Sequence, residues 1–245
     1  MRFYSGYIQR DPAMSRTLIR TFERRMGKLF KRFRKDALEA LPGYRMNAAT
    51  KINFADLSDH LLFLIETDIG APGKSVMLSL VEEAMKAGKT RASALLKAAG
   101  VQAVLGDVVV NPLVKETLYK RNLALLKGIT EDMGKNIQVQ LSEGILKGEG
   151  MSKLAKRLVE STGIAEDRAK LIARTETMFA FNTAAKEEYQ RYGVEKVEWV
   201  AALDERMCDI CGKYHGKIYP IDAVPDAPAH PNCRCVKIPY IEEVA

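Results

Sequence analysis

The chain has 245 residues, 47% of them hydrophobic and 28% charged, enough for one large domain or two modest ones and ordinary for a water-soluble protein. No apolar run is long enough to cross a bilayer, and the opening Met1-Arg2-Phe3-Tyr4-Ser5-Gly6 lacks the apolar stretch of a secretory signal, so cytoplasmic synthesis and no membrane partner are expected. The net charge of +7 is uneven: residues 1–46 hold twelve Lys/Arg against four Asp/Glu, which leaves the other 199 residues close to neutral and places any polyanionic partner at the N-terminal end.

Ser15 is a candidate N-cap for a first helix that runs to about Leu41, where Leu41-Pro42-Gly43 stops it. Leu18, Phe22, Met26, Leu29 and Phe33 recur every three or four residues and form one apolar stripe. Arg16, Arg20, Arg24, Arg25, Lys28, Lys31, Arg32, Arg34 and Lys35 surround it, with Glu23 the one acid among them. Arg20, Arg24, Lys28, Lys31 and Arg32 are therefore candidate contacts to double-stranded DNA or to an acidic protein surface. A solvated basic face on a core-packed helix, and a helix lying on a membrane, are the competing readings.

Helical spacing continues at about 53–67, 74–87 and 90–99, with Gly70-Ala71-Pro72-Gly73 expected to break the first two apart. Gly73-Lys74-Ser75 and Gly88-Lys89-Thr90 look like the end of a phosphate loop. The earlier glycine that such a loop needs is replaced by Asp68 and Glu83, so both are read as turns and helix starts. A long helix follows Asn111-Pro112 through Leu113, Leu118, Leu123, Leu126, Ile129, Met133, Ile137 and Leu141, and Gly144 or Gly148 ends it. A short helix from Ser152 to about Val159 and a longer one from Glu166 to Tyr189 complete an all-α middle. Arg174, Thr175 and Glu176 in the latter point about 100° apart, so they form no compact cluster by themselves.

From Val194 the period changes to two, as in a strand; Gly216-Lys217-Ile218-Tyr219 and Val236-Lys237-Ile238 read as two more. Between them lies all of the cysteine: Cys208-x-x-Cys211, then His230-Pro231-Asn232-Cys233-Arg234-Cys235. So small a β-unit has little core of its own, and a metal would supply what the core lacks. Structural zinc takes four N or S ligands, and Cys208, Cys211, His230, Cys233 and Cys235 offer five. Cys235 or His230 is the candidate for the spare. Two disulfides, a catalytic thiol with His230 as base, and ordinary reduced cysteines are the alternatives.

Asp204, Arg206, the Cys208-x-x-Cys211 pair, Gly216 and His230-Pro231-x-Cys233-Arg234-Cys235 resemble the C-terminal signature of the Mu-F-like phage head morphogenesis (minor head) proteins. Ile172-Ala173-Arg174-Thr175-Glu176, then Gly193-Val194 leading to Trp199, match the same family in the same order, so the likeness covers about Leu113 to Pro239. The resemblance implies a capsid-interior protein of the virion, made in the host cytoplasm and associated with the portal and other capsid proteins. It further implies a part in capsid assembly and in DNA packaging or ejection, without enzymatic turnover. It also makes Arg174, Glu176 and Asp204 a structural set that ties helix to cysteine unit, with Arg174 to Asp204 the expected pair.

The expected fold is mainly α (α+β): an elongated helical region followed by a small β-hairpin unit with the Cys/His cluster. Its expected segments are the basic helix at 1–46, helices at 47–110, a helical core at 111–192 and the β-unit at 193–245. Two other functions compete. One is a metal-dependent nuclease or hydrolase built on His230, His215, Asp204 and Glu176; the other is a zinc-stapled DNA-binding module.

Overall fold

The computed structural model describes residues 15–46, 51–102, 111–204 and 207–241. Arg206 of the signature and the first fourteen residues lie outside the described residues. The order is α1 (Arg16–Ala40), a 3-10 turn (Leu41–Tyr44), the short strands β1 (Arg45–Met46) and β2 (Lys51–Ile52), α2 (Phe54–Leu64), a π-helical segment (Ile65–Gly70) and α3 (Ala71–Ala98). Then come α4 (Pro112–Leu146), α5 (Met151–Arg191), β3 (Lys196–Val200), α6 (Asp209–Tyr214), β4 (Ile218–Pro220) and β5 (Val236–Tyr240). The protein is mainly α, with a small antiparallel sheet in the order β4-β3-β5 near its C-terminal end.

Contacts gather the described residues into two compact units, each assembled from separated segments: those within 1–21, 79–119 and 171–245 form one, and those within 22–78 and 120–170 form the other. Within the second, α1 buries Phe22, Met26, Phe30, Phe33 and Ala37. Phe30 takes the core position that the spacing assigned to Leu29, because a straight helix carries the stripe on at i+4 from Met26. Arg34 leaves the predicted basic face to meet Glu166 at 2.6 Å. Helix α2 lies along α4, where Gln138 Nε2 donates to Ser58 Oγ at 2.7 Å.

Three predicted breaks are continuous helix. At Gly70-Ala71-Pro72-Gly73 the chain widens into the π segment and enters α3 without a turn. Pro72 sits in the first turn of α3, where its missing N–H disturbs least. At Gly88 the helix also continues, because the missing side chain serves packing: a Cβ there would lie 2.2 Å from the Phe181 carbonyl oxygen on α5. The two helices expected at 152–159 and 166–189 are one helix of 41 residues. Ser161 and Thr162 are buried inside it, and the Thr162 hydroxyl donates to the Leu158 carbonyl at 2.7 Å, so its polarity is satisfied without breaking the helix.

The first unit packs the sheet on α3 and α5. Leu95, Met178 and Phe181 from the helices cover Val200, Val236 and Ile238 from the strands. On the other side Leu96, Ala185, Tyr189, Val197 and Trp199 share a core with Cys211, Cys233 and Cys235. The cysteines are thus part of the core that holds sheet to helix.

Candidate metal centre

The Cys208–Cys211 pair caps and opens a short helix. Cys208 is the N-cap of α6, and its Sγ accepts the backbone N–H of Cys211 at 3.4 Å. The second knuckle comes back from the loop before β5, turning at Asn232, whose φ is +64°. Asparagine adopts that left-handed conformation more readily than other residues with a Cβ. The Cys233 N–H bonds to the His230 carbonyl at 3.1 Å and closes the turn.

The fold brings all five candidate ligands together in two triads. Cys208, Cys211 and His230 have their ligand atoms within 4.8 Å of one another, as do Cys211, Cys233 and Cys235, so Cys211 is common to both. His230 Nε2 stands 3.2 Å from Cys208 Sγ and 3.1 Å from Cys211 Sγ, and Cys211 Sγ stands 3.7 Å from Cys233 Sγ. Tetrahedral zinc with thiolate bonds of about 2.3 Å separates two sulfurs by about 3.8 Å, so the observed spacing fits. His230 Nδ1 lies 2.7 Å from the Pro231 carbonyl; donation there leaves the Nε2 lone pair facing the sulfurs, as a metal ligand requires.

The proton balance of the thiols agrees. A hydrogen bond from Cys235 brings Cys233 down to about 5, and the Cys211 N–H lowers Cys208. Burial pushes Cys211 up to about 12, and the Cys233 hydrogen bond, with burial, raises Cys235 as well. Burial disfavours charge on His230, but the Pro231 carbonyl and the neighbouring sulfurs outweigh it and raise the imidazole. Alone, then, the buried sulfurs cannot all ionise together; a dication would let them. The donor set fits a divalent metal.

Two further contacts close the module. Arg234, between the last two cysteines, donates from both terminal nitrogens to the two oxygens of Asp204, one bond at 2.6 Å, and so links the second knuckle to the segment before the first. Arg234 is given no part in this contact by the sequence alone. Thr175 was also overlooked: its hydroxyl, on α5, accepts the Asn232 N–H at 3.2 Å. Glu176 is buried at 3% exposure and Arg174 is exposed. His215 serves the backbone, its Nδ1 accepting the Ala201 N–H at 3.3 Å.

On α1, Arg20, Arg24, Lys28 and Lys31 are exposed. Arg32 is engaged: its Nε lies 3.0 Å from Asp68, whose side chain is 2% exposed, and 3.7 Å from Asp36. No described helix is long and apolar enough to cross a membrane.

These features define a helical protein whose C-terminal antiparallel sheet carries a Cys/His cluster fit to hold a metal ion. Residues 135–238 match the family described as phage Mu protein F like protein. The chain is 29% identical over 158 residues to the minor head protein GP7 of Bacillus phage SPP1, covering 57% of this chain and 50% of the relative. It is 27% identical over 125 residues to an uncharacterised protein of Haemophilus influenzae, covering 49% of this chain and 28% of the relative. The chain thus spans half or less of the length of these relatives. No solved structure matches it.

Proposed function

We propose that this chain is a phage minor head protein, a virion component of the capsid interior that associates with the portal and with other capsid proteins and acts in capsid assembly and in DNA packaging or ejection. The observation that carries the reading is a coincidence of extent. The family match at 135–238 begins within α4 and ends within β5, so it takes in α5, the sheet and every candidate metal ligand. The likeness to the minor head protein of phage SPP1 supports the same role.

The metal in this reading is structural zinc, held by four of Cys208, Cys211, His230, Cys233 and Cys235. A closed set of thiolates and imidazole leaves no open coordination position for water or substrate, which favours a staple over a hydrolase. What zinc supplies is the neutralisation that lets the buried sulfurs stay ionised together. Arg20, Arg24, Lys28 and Lys31 are the proposed contacts to packaged DNA, with Arg32 set aside by its bond to Asp68.

The test is co-expression with a phage portal protein, followed by co-purification, microscopy of the complex and elemental analysis. The expected result is a stable complex with about one zinc per chain, lost in Cys211→Ser. Failure to co-purify under low and moderate salt would overturn the portal association. Fully reduced protein without metal would overturn the staple.

A further inference from the structure

Helix α5 meets the segment that leads from the second knuckle into β5 through three polar side chains spaced seven residues apart: Thr175, Asn182 and Tyr189. Seven residues are nearly two helical turns, so the three lie on one face of the helix. All three bond, in order, to the backbone of that segment, from Asn232 to Lys237. Thr175 Oγ1 accepts the Asn232 N–H at 3.2 Å. Asn182 Nδ2 donates to the Cys235 carbonyl at 3.1 Å, and its Oδ1 accepts the Lys237 N–H at 3.2 Å. The Tyr189 hydroxyl donates to the Lys237 carbonyl at 3.2 Å.

The pattern is a ladder. β5 is an edge strand, paired with β3 on one side only, and α5 supplies on the other side the partners that a further strand would supply. Asn182 is 2% exposed and Tyr189 1%, so these bonds are made away from competing water. The ladder starts at Asn232 and reaches Cys235, so the upper half of it holds the turn that carries Cys233 and Cys235.

We propose that Thr175 and Asn182 are positioning residues of the metal centre. They fix the His230–Cys235 knuckle in the geometry that binds the ion, so that metal affinity is set in part on helix α5. This rests on the metal reading above. Ligand orientation by partners behind the ligands is worth about ten- to a hundredfold in metal affinity elsewhere. Linkage makes the effect reciprocal, and a bound ion must tighten the ladder by the same factor.

The experiment uses the full-length chain with zinc and with cobalt(II) as probes. Thr175→Val keeps the β-branched shape and removes only the hydroxyl; Thr175→Ser restores it. Leu95→Ala, in the apolar packing of the same sheet, serves as a control that loosens the unit without touching a ladder bond. The expected result is a loss of about tenfold in zinc affinity by chelator competition for Thr175→Val. Thr175→Ser should recover it, and Leu95→Ala should lower the melting temperature with a smaller affinity change. The cobalt(II) absorption spectrum should broaden or shift in Thr175→Val. Zinc should slow amide exchange at Asn232 and Lys237 in the wild type, and at Asn232 less in Thr175→Val. Wild-type zinc binding with unchanged affinity and spectrum in Thr175→Val overturns the proposal alone, as does a loss in Leu95→Ala that matches it. A folded wild type that takes up neither metal overturns the metal reading, and the proposal with it.

Discussion

At the scale of single residues, Asn232 and Glu166 show how little chemistry decides a local outcome. Asn232 holds a left-handed backbone at the head of the second knuckle. Glycine adopts that conformation freely, whereas alanine pays roughly 1–2 kcal/mol for it. Asn232→Gly should leave the thermal midpoint nearly unchanged, and Asn232→Ala should lower it by several degrees; equal midpoints would show that the turn is unstrained. Glu166 is buried enough to raise a carboxyl, yet the Arg34 and Lys170 bonds prevail and hold it below its usual 4.5. A depressed carboxylate stabilises the fold above the unfolded value and loses that stability as pH falls through the folded one. Arg34→Met should therefore cost at most about 1 kcal/mol near neutrality. The difference from wild type should shrink as pH drops below 4.5, which urea titrations across that range would reveal.

At the scale of elements, α1 carries the strongest statement about a partner. The sequence offered five cations as contacts, but Arg32 is bound to the buried Asp68. Four remain on the exposed face, and if they meet DNA as proposed, four phosphate contacts predict a loss of roughly a hundredfold in affinity between about 50 and 200 mM salt. Deleting the helix is a poor test, because Phe22, Met26, Phe30 and Phe33 belong to the core. Charge reversal at Arg24 and Lys28 keeps the core and should abolish both the binding and its salt slope. Unchanged binding would move the DNA contact elsewhere. The elements also show what was legible. Amphipathic periodicity located α1 and α4 and the three strands near the C-terminus, because one face of each meets a core. Glycine and proline misled wherever their reason was tertiary. Gly88 was read as a break when it is an approach to Phe181, and Ser161-Thr162 failed to end α5 because burial and a bond to the preceding turn absorbed them. That the five Cys/His side chains gather in one cluster could be read from spacing alone. Thr175 and Asn182 could not, since a bond from a helix to a distant backbone leaves no periodic trace, and neither does the pairing of Arg234 with the Asp204 carboxylate thirty residues away.

At the scale of the whole molecule, the Cys/His cluster and the first unit share one core. Cys211, Cys233 and Cys235 pack with Trp199, Tyr189 and Leu96. Removing the ion should therefore loosen sheet and helix together. In a chelator, amides of β3 and β5 should lose hydrogen-exchange protection, while those at Ile129, Met133 and Ile137 of α4, in the other unit, keep theirs. Uniform loss across both units would mean that the chain unfolds as one.

The ladder on α5 has a consequence for crowding. A sheet with open edges is a template on which a neighbouring chain can add a strand, a hazard wherever copies are concentrated. Here β5 presents no such edge, since its outward backbone groups at Lys237 are already bonded to Asn182 and Tyr189. The opposite edge is β4, three residues long and closed by Pro220, which has no N–H to offer. The sheet is sterile to polymerisation on both sides. A concentrated solution of the protein should therefore stay free of fibres grown from this sheet for as long as α5 stays in place.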